Sequence, residues 1–186
     1  MNKTTMIEFT KPFYNSQSRF FHNWNHIEDG LNYQYLFTNE QYAAWLFHDI
    51  VYLPGFSYNE KVSADYLAEY LRKTPSNIDI EVAVQIIMDT KEHVSTIKES
   101  SLVLDIDMLC FSFDYEVFAL SRELVTQEYV GFFSKEEVLK GVYHFIDNMR
   151  GREIYKTENF LQYNEKAQKN IERYLIEHKK NLILTI

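Results

Sequence analysis

The chain has a single cysteine, Cys110, among its 186 residues. No disulfide can form within it, which excludes a secreted, disulfide-stapled framework. Proline and glycine are scarce, at 3 and 5, and that argues against a β-rich design with its frequent turns. Apolar runs stop well short of the roughly 18 residues a membrane span needs. The opening residues MNKTTMIEFTKPFYNS hold no apolar core of signal-peptide length. Long basic runs are missing as well. The densest basic stretch is His178-Lys179-Lys180, and 19 Lys and Arg stand against 27 Asp and Glu for a net charge of −8. Duplex nucleic acid requires clustered cations, so neither it nor a membrane is expected as a partner, and a cytoplasmic location is expected. An acidic protein can still act on a small anion if a metal ion supplies local positive charge.

What the chain does have is rings and helical periodicity. Apolar residues make up 46% and charged residues 25%, with 14 Tyr and 14 Phe, the profile of one globular domain over residues 1–186. Phe21, Trp24, Ile27, Leu31 and Tyr35 recur at steps of three and four, predicting a helix from about Ser18 to Phe37. A second helix is expected over Gln41 to Val51, ended by Leu53-Pro54-Gly55. Asn59 reads as the cap of a helix to about Arg72, and Ser76 or Asn77 as the cap of the next. Asp114 opens a further helix, Ser134 to Glu137 has capping-box spacing, and Gly151 sits where a helix end wants a left-handed residue. A last helix is expected from about Thr157. The expected fold class is all-α.

Chemistry-bearing residues concentrate in the first half. His22 and His26 are four apart, so on a helix they would share one face. His48 and Asp49 are adjacent within an apolar helix and could both reach one ion only at its edge. His93 follows near a helix end, then Asp105 and Asp107. Imidazole with carboxylate suits Zn, Mn, Fe, Co or Ni, and Mg less well. A lone His or a lone His-Asp pair has an ordinary structural reading; order and spacing together carry the signal.

The ordered set His26, His48-Asp49 and Asp107 resembles the HD superfamily of metal-dependent phosphohydrolases, closest to a bacterial and phage group of small HD phosphohydrolases, from Arg19 to about Gly151. Phe21 to Asp29 is also similar to the Tyr-His-Asn-x-x-His-x-x-Asp signature of cyclic-nucleotide phosphodiesterases. Pro54-Gly55, Asn59 and the segment Asp89 to His93 echo the motifs that follow it. The chain departs from that signature at Tyr52-Leu53-Pro54-Gly55, where the phosphodiesterases carry His-Pro-Gly, and their purine-selecting end has no counterpart here.

The resemblance implies an HD-type helical bundle and a divalent ion (Mn, Fe, Co, Ni, Zn or Mg) held by His26, His48, Asp49 and Asp107, with a second ion possible through Asp49. His22 would protonate the leaving oxygen, a task that suits an imidazole titrating near neutrality. Glu60 would orient the attacking water, or simply complement a helix N-terminus. His93 and Lys91 would face phosphate oxygens or a second ion. Arg122 and Arg152 would bind phosphate or pair between helices. The implied substrate is a small phosphate ester, a nucleotide or cyclic phosphodiester, and a homodimer is possible. Two alternatives stand beside hydrolysis: a di-iron oxygenase on the same fold, and a nucleotide-binding regulatory module without turnover.

Overall fold

A computed structural model describes residues 2–183, with side chains through Lys179. Met1, residues 184–186 and the Lys180 side chain of the basic stretch lie outside the described residues. Among those described there is no strand, and the fold is all-α. The helices fall into two compact units, one ending at Asp107 and one beginning at Met108.

The first unit contains α1 (Lys3–Thr10), α2 (Trp24–Leu31), α3 (Asn39–Phe47), α4 (Asn59–Lys73), α5 (Ile80–Thr90) and α6 (Ser100–Asp107). Helix α3 is central, buried from Gln41 through His48, and packs against α1, α4, α5 and α6. Its start is fixed by a complete capping box, Thr38 with Gln41, two residues ahead of the sequence expectation. Its end comes earlier than Val51: regular helix stops at Phe47 and His48 is the C-cap.

Three other boundaries move for identifiable reasons. Helix α2 begins at Trp24 rather than Ser18, because the Asn23 side chain accepts from the Asn25 N–H and caps it there. Asn59 is not a cap. Its amide pairs with the backbone N–H and C=O of Leu53, both at 3.0 Å, and closes the loop back onto the start of α4. Within that loop Leu53, Pro54, Gly55 and Phe56 form a turn with Gly55 at φ 79°, the left-handed conformation that glycine adopts without steric cost. Asp79, rather than Ser76 or Asn77, caps α5 by accepting from Glu81 and Val82.

The α2–α3 contact sets the site. Gly30 lies against the buried indole of Trp45, and a Cβ there would collide with the ring. Trp45 Nε1 donates to the Ile27 carbonyl at 3.0 Å, locking the two helices in register. Its ring stacks on His48 at 4.7 Å and lies 5.2 Å from His26. One fully buried side chain therefore supports two of the histidines, and truncating such a residue costs about 3–5 kcal/mol.

The second unit contains α7 (Tyr115–Val130), α8 (Lys135–Met149) and α9 (Asn164–Ile183), with short 3-10 turns at Leu109–Ser112 and Leu161–Tyr163. Asp114 precedes α7, the Ser134–Glu137 capping box opens α8, and Gly151 adopts φ 74° just past its end, as the sequence indicates. Helix α9 starts at Asn164, later than Thr157, because the Asn164 carboxamide is engaged with the backbone of Ile154 and Tyr155. No helix among the described residues is long and apolar enough to cross a membrane.

Candidate metal centre

The residues that converge lie within the first unit and come from three places in the chain. His26 projects from the first turn of α2, His48 and Asp49 from the C-terminal end of α3, and Asp107 from the last residue of α6. His26 Nε2 is 3.3 Å from His48 Nε2 and 3.1 Å from Asp107 Oδ1. His48 Nε2 is 3.1 Å from Asp49 Oδ2 and 3.6 Å from Asp107 Oδ1. The donor atoms of His26, His48 and Asp49 all lie within 4.8 Å of one another. An ion with bonds of about 2.0–2.2 Å sets its neighbouring ligand atoms roughly 2.9–3.5 Å apart. Three of the four separations, His26–His48, His26–Asp107 and His48–Asp49, fall in that range, and His48–Asp107 lies just beyond it.

The chemistry of the donors points the same way. His48 Nδ1 is 2.8 Å from the Trp45 carbonyl, an acceptor only, so that nitrogen carries a proton. The lone pair of neutral His48 then sits on Nε2 and faces two carboxylates and another imidazole, the arrangement in which a backbone carbonyl fixes a ligand's tautomer. Acceptors facing acceptors in a buried site need a cation or protons between them. A proton on His48 meets that need: burial opposes a charge there, yet Asp49 and Asp107 hold its pKa well above the ordinary imidazole value. Burial likewise works against the Asp49 and Asp107 charges, and the surrounding histidines still hold both carboxyls well below the usual carboxylate range.

The end of α3 brings the adjacent residues together. His48 keeps a helical backbone (φ −58°, ψ −35°) as the C-cap, and Asp49 lies in the turn closed by the Ile50 N–H on the Phe47 carbonyl, so the two side chains meet at the helix edge, Nε2 to Oδ2 at 3.1 Å. The expectation that His22 and His26 share a helix face is corrected by the start of α2. His22 lies before the cap, in irregular chain, with its ring 6.1 Å from that of His26. It reaches the site by another route: its ring stacks on Tyr52 at 4.1 Å and its charge acts on Asp49.

His93 and Asp107 also meet, with His93 Nε2 3.2 Å from Asp107 Oδ2, so the two carboxylate oxygens face different histidines. His93 has φ 51°, uncommon for a residue with a side chain. Asp89 fixes this loop: its carboxylate accepts from Thr96 N–H and Oγ1, both at 2.7 Å, and its carbonyl accepts from Val94. The anchoring role of Asp89 is invisible in sequence, where it reads only as the first residue of the segment ending in His93.

Glu60, in the first turn of α4, is half-buried. Burial raises its pKa, and Asp49 adds to the rise against the pull of Lys91 and His93. It thus shares the electrostatic neighbourhood of the cluster. Lys91 is exposed and donates to the Ser57 carbonyl at 2.9 Å, tying the end of α5 to the loop before α4. Asp105 is fully buried, in keeping with a structural role. Arg122 is buried within the second unit, donating to Ser121 Oγ and Cys110 Sγ.

No family model, no curated protein and no solved structure matches the chain.

Proposed function

We propose that this protein is a metal-dependent phosphohydrolase acting on a small phosphate ester, a nucleotide or cyclic phosphodiester. The observation that carries the reading is the closeness of His26 Nε2, His48 Nε2, Asp49 Oδ2 and Asp107 Oδ1, with His26–His48, His26–Asp107, His48–Asp49 and His48–Asp107 separated by 3.1–3.6 Å. The order and types of these residues resemble the HD-superfamily pattern, and their closeness supports the reading. A bound divalent ion would acidify a coordinated water and neutralise phosphate charge. Those four side chains would hold it.

The chain's other residues have distinct tasks. His22, stacked on Tyr52 beside Asp49, donates a proton to the leaving oxygen. Glu60, its carboxyl raised by burial and by Asp49, accepts a hydrogen bond from the attacking water and orients it. His93 and Lys91 lie on the side of Glu60 and Asp107, where they donate to phosphate oxygens.

Metal analysis of the purified protein, paired with a phosphate-release and cyclic-nucleotide panel across Mn, Co, Ni, Zn, Mg and Fe, tests the proposal. Hydrolysis should require added ion and vanish in Asp107→Asn with the helical signal retained. Undiminished turnover in that variant rejects the site. Iron-dependent oxygen consumption without phosphate release points to oxidation, and tight metal and nucleotide binding without product points to a regulatory module; either rejects hydrolysis.

A further inference from the structure

A buried arginine lies between the segments that deliver His22 and the His48-Asp49 pair. Arg19 is 9% exposed and donates through Nη1 to the His22 carbonyl at 3.0 Å and the Asp49 carbonyl at 2.6 Å. Its Nη2 donates to the Ile50 carbonyl at 3.1 Å. Two of these acceptors lie in the turn just beyond the C-terminus of α3, where the helix dipole favours a cation. The third belongs to the irregular chain ahead of α2. The guanidinium is sandwiched between rings, 5.1 Å from Tyr14 and 5.6 Å from Tyr52. Tyr52 in turn stacks on His22.

We propose that Arg19 is a positioning residue that fixes His22 relative to Asp49, through both the backbone of each and the Tyr52 ring. The proposal rests on the metal-centre reading above. Its physical basis is the donor geometry: a planar fork of five N–H groups reaches three carbonyls at once, whereas a lysine offers a point charge on a flexible stem. Regular secondary structure does not hold His22 or Asp49, since one precedes α2 and the other follows α3. Arg19 bridges the two segments directly, through the His22 carbonyl on one side and the Asp49 and Ile50 carbonyls on the other.

The test uses the full chain with Mn2+ as probe, followed by the electron paramagnetic resonance signal of free ion, alongside thermal unfolding and hydrolysis of bis(4-nitrophenyl) phosphate. Arg19→Lys keeps the charge and loses the fork; Arg19→Gln keeps a short donor and loses the charge. Both variants should retain the helical circular-dichroism signal and bind Mn2+ about 10- to 100-fold more weakly, the usual effect of removing a support behind a ligand. Hydrolysis at saturating Mn2+ should stay reduced, because His22 is displaced as well. A purely structural arginine would lower the thermal midpoint yet leave Mn2+ affinity well below that temperature unchanged, and this result overturns the proposal. Variants that lose the helical signal altogether assign Arg19 to the fold and also overturn it. A wild-type chain that binds none of the ions overturns the metal centre itself; wild-type binding matched by both variants overturns only the role of Arg19.

Discussion

The two units differ in one buried polar cluster. In the second, donors meet acceptors: Asn170 Nδ2 gives hydrogen bonds to the carbonyls of Phe111 and Phe113, and the Tyr155 hydroxyl gives one to Met108. Such pairs satisfy desolvated backbone and specify packing. In the first, His26, His48, Asp49 and Asp107 bring lone pairs toward one another, with a proton on His48 to reconcile them. The donor–acceptor pairs of the second unit need nothing further to satisfy them; the cluster of the first needs a proton or a cation between its acceptors.

The largest effect that would break this comparison is in the first unit. Asp49→Asn should weaken Mn2+ or Zn2+ binding by more than about 100-fold, beyond what changes one layer further out cost; isothermal titration reads it directly. Ion supplied at about 100 times its dissociation constant should stabilise the wild type by about 2.7 kcal/mol, and this shift in unfolding midpoint should disappear in the same variant. Acidification should have the same sign. His48 is held protonated above its ordinary range, so an incoming ion must displace that proton, and affinity should fall steadily as pH is lowered.

Smaller effects sharpen the contrast. Gly30→Ala would gain about 1 kcal/mol from helix propensity, but its Cβ meets an indole with no room to retreat. Overpacking of this kind costs about 1–3 kcal/mol, so the variant should be less stable by urea denaturation and also bind metal more weakly as α2 shifts with His26. Asn170→Ala in the second unit should cost about 1–3 kcal/mol for its abandoned carbonyls, with metal affinity unchanged. An equal loss of affinity in that variant would erase the distinction drawn between the units. Ser134→Ala, which removes the cap of α8, should cost about 1 kcal/mol.

Much of the fold was legible because its signals are local. Periodic apolar positions and the capping box at Ser134 lie within a few residues of the helices they define. Boundaries failed where a side chain preferred a distant or irregular partner. Asn59 binds Leu53 instead of capping, and Asn164 holds Ile154 and Tyr155, which delays α9. Two further helices, Lys3–Thr10 and Ser100–Asp107, lie where the apolar periodicity predicts none.

For the site, sequence by itself determined which residues are the candidate ligands: His26, His48, Asp49 and Asp107 stand out by their order and spacing. Tertiary structure decided how they meet. The C-terminal edge of α3 presents His48 and Asp49 together, Trp45 packs Gly30 and both His26 and His48, and Asp89 anchors the loop that carries His93 to Asp107. These depend on contacts between residues far apart in the chain, such as the 3.1 Å approach of His26 to Asp107. Local propensity cannot encode such a distance; the packing of α2, α3 and α6 does.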